Sequence, residues 1–224
     1  MPILTADIEH ECFVSPWSPL GYPFICDDPD APVLLLQSAG NVIHEGVETE
    51  DDEAGSYLTG SAINMALCQN YLVKTMGIRQ ENITIENFSV ANPGKHPRDV
   101  IRSFLDTCRH RNRFPLIYYT GHGCKDGSWS FTLYAHGHQQ VKISPAEVAR
   151  MCEKREDDDL TVGLTVISQS CYSGMWHEHG IQGISSASPG QKSKSSEEGS
   201  EFSRWLFKNG PKPVASVPYF RACG

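Results

Sequence analysis

The stretch VISQSCYSGMW (166–176) sets Cys171 directly after a strand-like apolar run and before a turn containing Ser173 and Gly174. A second stretch, IYYTGHG (117–123), ends with His122 between Gly121 and Gly123. A thiol with a pKa of about 8.5 is mostly protonated at neutral pH, and a nearby imidazole can take its proton or stabilise its charge. Flanking glycines let backbone approach a substrate closely and leave an amide free to donate toward a developing oxyanion. The chemistry on offer is nucleophilic attack by Cys171 with His122 as proton acceptor. The plainer account makes Cys171 a small packed residue and His122 an exposed turn histidine. Both residues follow strong strand patterns, 49 positions apart.

Alternating strand and helix patterns surround these two loops. PVLLLQSAG (32–40) is a continuous apolar run ending in small residues, the pattern of a strand buried on both faces. A helix follows in YLTGSAINMALCQNYLVKTMG, with Met65, Leu72 and Met76, joined by Ala66 and Val73, at helical spacing and Gly77 as its stop. NITIENFSV (82–90) reads as a strand, and HPRDVIRSFLDTCRHR (96–111) as a helix with Val100, Phe104 and Cys108 on one face, supplemented by Ile101 and Leu105. FPLIYYTGHG (114–123) is a further strand, and SWSFTLYAHGHQQVKI resembles a hairpin. In SPAEVARMCEK (144–154), Ser144 and Glu147 form a capping box, Pro145 takes the first helical position, and Val148, Met151 and Cys152 face inward. LTVGLTVIS then leads into Cys171. This alternation predicts an α/β sandwich with a mostly parallel central sheet flanked by helices, active groups collecting where strands end. Residues 1–31 read as an irregular N-terminal arm, and 32–224 as one domain.

With 39% hydrophobic and 21% charged residues among 224, the chain is long enough to bury a core without staples. Its net charge of −8, with neither Lys nor Arg before Lys74, argues against nucleic acid as a partner. No apolar run approaches the roughly 20 residues that span a bilayer, and the first residues lack the pattern of a secretory leader, so no membrane partner and a cytoplasmic location are expected. Eight scattered cysteines without a CxxC pair are expected to be reduced. No metal site is assigned: His136 and His138, and His177 and His179, form HxH pairs near Cys124 and Cys171, but structural zinc favours closer Cys and His pairs. The acidic runs at 45–53 and 156–159 read as solvated loops.

LTGSAIN (58–64), IYYTGHG, VISQSCYSG and ISSASPGQKSKSSEEGSEFSRWL (184–206) occur in this order, and together they resemble the caspase and metacaspase superfamily of cysteine peptidases. The separation of His122 and Cys171 is similar to the roughly 50 residues typical of caspases. The resemblance covers roughly residues 32–207 and implies a caspase-like three-layer sandwich. It also implies a Cys171/His122 dyad that hydrolyses peptide bonds in protein or peptide substrates, with the oxyanion held by the backbone amides of Gly123 and Cys171. No cofactor is implied; calcium, which some metacaspases bind, would have to use the run at 156–159, which lacks an oxygen-ligand loop pattern. By the same resemblance, 188–199 is a flexible processing loop between two halves of the domain. Ser173 is read as a turn residue, Cys124 as packed, and Asp126 as a solvated turn residue.

Specificity is where this sequence departs from the family. Gln169 stands where metacaspases carry an aspartate that selects basic side chains and where caspases carry a glutamine in an arginine-framed pocket. The first arginine here is Arg79, so none stands directly after the first strand, and Asn64 replaces an aspartate usual in the first helix. Gln169 as substrate-binding residue therefore predicts a basic or uncharged side chain before the cut rather than aspartate. Only 53 residues follow Cys171, so some pocket wall is expected to be missing, or to come from a partner or from the N-terminal arm. The alternative is a caspase-like pseudo-peptidase serving as a regulatory or assembly module.

Overall fold

Val33 to Leu36 are four apolar residues without an exposed face, an arrangement a strand adopts only where both sides of its sheet are covered. The computed structural model describes residues 13–14, 28–38, 60–88, 95–110, 114–133, 139–153 and 162–209. Among these, one eight-stranded sheet contains β1 (Phe13–Val14), β2 (Val33–Ser38), β3 (Ile83–Asn87), β4 (Leu116–Gly123), β5 (Trp129–Leu133), β6 (Gln139–Ile143), β7 (Thr165–Gln169) and β8 (Gln182–Ser185). The helices are α1 (Ser61–Lys74), α2 (Pro97–His110), α3 (Pro145–Cys152), α4 (Met175–Glu178) and α5 (Glu201–Asn209). A two-stranded ribbon, β9 (Ser195–Ser196) with β10 (Gly199–Ser200), precedes α5.

Side chains alternate across β2 and define two cores. Leu34 and Leu36 pack with Ile101 and Leu105 of α2, Val148 of α3, and Trp129 and Phe131 of β5. Val33 and Leu35 face the other way, toward Met65, Cys68 and Leu72 of α1 and Phe202 and Leu206 of α5. The protein is thus mixed α/β, with a mostly parallel sheet between helices on both faces.

Five parallel strands run in the spatial order β3-β2-β4-β7-β8. Numbered along the chain, that is 2-1-3-4-5, a doubly wound order whose direction reverses between β2 and β4. Crevices for ligands form outside the carboxyl ends of the strands at such a reversal. The carboxyl ends of β4 and β7 lie beside it, with Thr120 in register with Gln169.

Several sequence expectations are corrected in detail. The N-terminal arm is not irregular throughout: Phe13 and Val14 pair antiparallel with Ser185 and Ile184, covering peptide groups that β8 would otherwise present at an open sheet edge. In α1, Ala66 is exposed, and the buried stripe runs through Ser61, Asn64, Met65, Cys68, Tyr71 and Leu72, including polar residues where the helix meets the strand ends. In α2 the centre of the buried face is Ile101, Leu105 and Cys108, while Val100 and Phe104 flank it. The capping box is half made: Ser144 Oγ accepts from the Glu147 backbone N–H at 3.1 Å, but the Glu147 carboxylate pairs with Arg98 of α2 instead of turning back. Nor is 188–199 a plain loop, since it contains most of the β9–β10 ribbon. The acidic runs at 45–53 and 156–159, His136 and His138 lie outside the described residues. No described helix is long and apolar enough to cross a membrane.

Candidate active site

Parallel register places the two candidate residues at neighbouring strand ends. Thr120 and Gln169 are direct neighbours on β4 and β7, and His122 and Cys171 each follow by two positions, at the carboxyl ends of adjoining strands. Strand alternation gives His122 the face of Thr120, and the Thr120 hydroxyl donates to Gln169 Oε1 at 2.8 Å, so the two strands direct side chains to the same side there. His122 and Cys171 are both half-buried.

The glycines beside His122 are steric requirements. A Cβ on Gly123 would overlap the carbonyl of Cys171, and one on Gly121 would meet the Tyr119 hydroxyl and the carbonyl of Ser38. Gly123 therefore lets the histidine loop lie directly against the backbone of the cysteine, and the two peptide units expected to hold an oxyanion are in contact. Tyr119 places its hydroxyl between the carbonyls of His122 (2.8 Å) and Ser130 (2.9 Å). Burial holds this phenol well above its usual pKa, so it remains a donor that clamps the turn from β4 to β5.

Beneath the loops, Trp129 stacks on Tyr119 at 4.7 Å between ring centroids and on Trp176 at 4.0 Å. Both indoles have partners: Trp129 Nε1 donates to Ser168 Oγ and Trp176 Nε1 to the Gly127 carbonyl, each at 2.9 Å. This stack ties β4, β5, β7 and the short α4 into one support. Tyr172, directly after the cysteine, has φ of +57°, a left-handed conformation costly for a residue with a Cβ. Its N–H donates to the Gln191 carbonyl at 2.7 Å. The chain thus turns sharply out of the strand, leaving Cys171 at the bend.

The remaining expected residues find ordinary places. Ser173 is buried, accepts from the Ala187 N–H at 3.2 Å and receives the Ser185 hydroxyl on its carbonyl at 2.9 Å, so it shapes the turn. Asp126 accepts from the Ser128 N–H at 3.0 Å and closes a tight turn. Cys124 is half-buried, and burial pushes its thiol pKa up, partly offset by Lys142. Among the described residues no group of three or more His, Cys, Asp or Glu is arranged to hold a metal ion.

Gln169 is buried, in a network that sequence reasoning missed. Asn64 Nδ2 donates to Gln169 Oε1 and to Thr120 Oγ1, both at 3.2 Å, and Asn64 Oδ1 accepts from the backbone N–H of Ser200 at 2.8 Å. Gln169 Nε2 donates in turn to Ser193 Oγ at 3.3 Å, and the Cys171 thiol lies 3.9 Å from the Ser193 carbonyl oxygen. The available signal was the pair of amides, Asn64 within the first helix and Gln169 two positions before Cys171. Ser193, within 188–199, therefore lies against the cysteine. Models of known protein families do not match the chain, and no curated protein matches it.

Proposed function

We propose that the chain is a cysteine endopeptidase of the caspase or metacaspase type, with a caspase-like three-layer sandwich and a Cys171/His122 dyad. The observation that carries this reading is the placement of His122 and Cys171 at the carboxyl ends of adjoining parallel strands beside the reversal of strand order, with Gly123 against the cysteine backbone. His122 takes the thiol proton as Cys171 Sγ attacks the peptide carbonyl. The tetrahedral oxyanion accepts from the amides of Gly123 and Cys171, the C–N bond breaks, and the proton passes to the leaving amine. Water then cleaves the thioester, returning the thiol. Substrates are proteins or peptides with a basic or uncharged residue before the cut, because among the described residues the hydrogen-bond partners of Gln169 include no cation to accompany a buried carboxylate.

A second reading, a pseudo-peptidase acting as a regulatory or assembly module, is favoured by one observation: the Ser193 carbonyl lies against Cys171 Sγ. A peptide-library cleavage assay on the wild type beside Cys171→Ala and His122→Ala separates the two. A peptidase gives hydrolysis that each variant abolishes while remaining folded. A module gives no hydrolysis, or hydrolysis unchanged in the variants.

A further inference from the structure

The orientation of the Gln169 amide follows from a chain of donors that begins on the backbone. A backbone N–H can only donate, so the oxygen that accepts from Ser200 N–H must be Asn64 Oδ1. Asn64 then turns its NH₂ group toward Gln169, which must answer with Oε1; the Thr120 hydroxyl donates to the same oxygen. Reversing Gln169 would set its NH₂ against that of Asn64 inside a buried cluster, where unmatched polar groups are costly. Asn64 is 1% exposed, Thr120 0% and Gln169 4%, so little solvent is available to relieve such a clash. Gln169 therefore presents N–H donors to whatever adjoins the thiol.

Ser193 occupies that place. Its carbonyl oxygen is the one beside Cys171 Sγ, and its own hydroxyl accepts from Gln169 Nε2. In a peptide about to be cut, the residue that offers its carbonyl to the nucleophile is the one whose side chain enters the adjoining pocket. Ser193 has this relation to both groups and serves as an internal pattern for a substrate residue.

Resting on the peptidase reading, we infer that the residue before the cut is an uncharged one carrying an acceptor oxygen, a hydroxyl or a primary amide, with Gln169 as the residue that selects it. Lysine or arginine brings donors and positive charge against the N–H group of Gln169. Aspartate brings an acceptor, but also a charge that only neutral groups would meet. This divides the basic from the uncharged preference on the direction of one amide.

The test uses the full chain with peptides ending in serine, asparagine, arginine or aspartate before a fluorogenic group, on wild type and Gln169→Glu. The expected result is about tenfold higher kcat/KM for the serine and asparagine peptides over the arginine one in wild type, inverted in the variant, where a carboxylate oxygen replaces the donor. Preference for the arginine or aspartate peptide in wild type overturns the inference while leaving the peptidase reading standing. A second readout needs no turnover: the rate of Cys171 alkylation by iodoacetamide, followed by mass spectrometry. Ser193→Lys should lift the segment and speed alkylation about tenfold in the Gln169 background but not in the Gln169→Glu background. Equal acceleration in both backgrounds overturns the inference. The expected divergence without hydrolysis of any peptide upholds the donor orientation of Gln169 and counts against the peptidase reading instead.

Discussion

At Gly123 the geometry permits no side chain. The alanine methyl group would fall on the Cys171 carbonyl, which is backbone and cannot swing aside as a flexible side chain would. Gly123→Ala is expected to separate the two loops, costing about 1–3 kcal/mol of stability through overpacking and far more in activity through lost alignment. Thermal unfolding and peptide turnover measured together check this: unchanged turnover would mean that the two loops need not touch. Gly77, which has φ of +72° but nothing within 4 Å of an added Cβ, has only a conformational reason to be glycine.

Among the elements, the strands and helices were legible in the sequence because apolar runs and helical spacing reflect burial directly. β2, α1, α2, β4, the β5–β6 hairpin and α3 all occur where patterning predicts them. Details set by tertiary partners were not legible. Nothing in the sequence near Phe13 shows that β8 will offer an edge, and the spacing of α1 does not show that Asn64 rather than Ala66 faces inward. The neighbouring loops of His122 and Cys171 could be anticipated from the two strands that carry them. The Asn64–Thr120–Gln169–Ser193 network could not, because it joins four segments far apart in the chain. The ribbon segment bears on regulation: Lys192, Lys194, Glu197 and Glu198 are exposed while Ser193 adjoins the thiol. Under the peptidase reading, active protein is expected to be cut within 188–199, giving two fragments on intact-mass analysis. Full activity with the chain whole would mean that the segment moves aside uncut.

For the molecule as a whole, buried ionisable groups set a limit at alkaline pH. Burial is the main cause that pushes Cys152 up to about 11, and it raises Cys68 and Tyr118 well above their ordinary values. A group whose folded pKa is raised stabilises the fold below its unfolded pKa and loses that contribution as pH climbs to the folded value. Stability is therefore expected to fall between about pH 9 and 11, by roughly 2–3 kcal/mol from Cys152 alone. Denaturant titrations across that range check it, and Cys152→Ala should flatten the decline. The same burial separates these thiols from half-buried Cys171 and frames the most direct test of the dyad. Wild-type protein treated at pH 7.5 with a peptidyl electrophile ending in asparagine should yield a single adduct, on the fragment containing Cys171. Cys171→Ala should yield none, and His122→Ala should react about 10²-fold more slowly. An adduct on Cys124 instead, or a rate at Cys171 unaffected by loss of His122, would contradict the dyad.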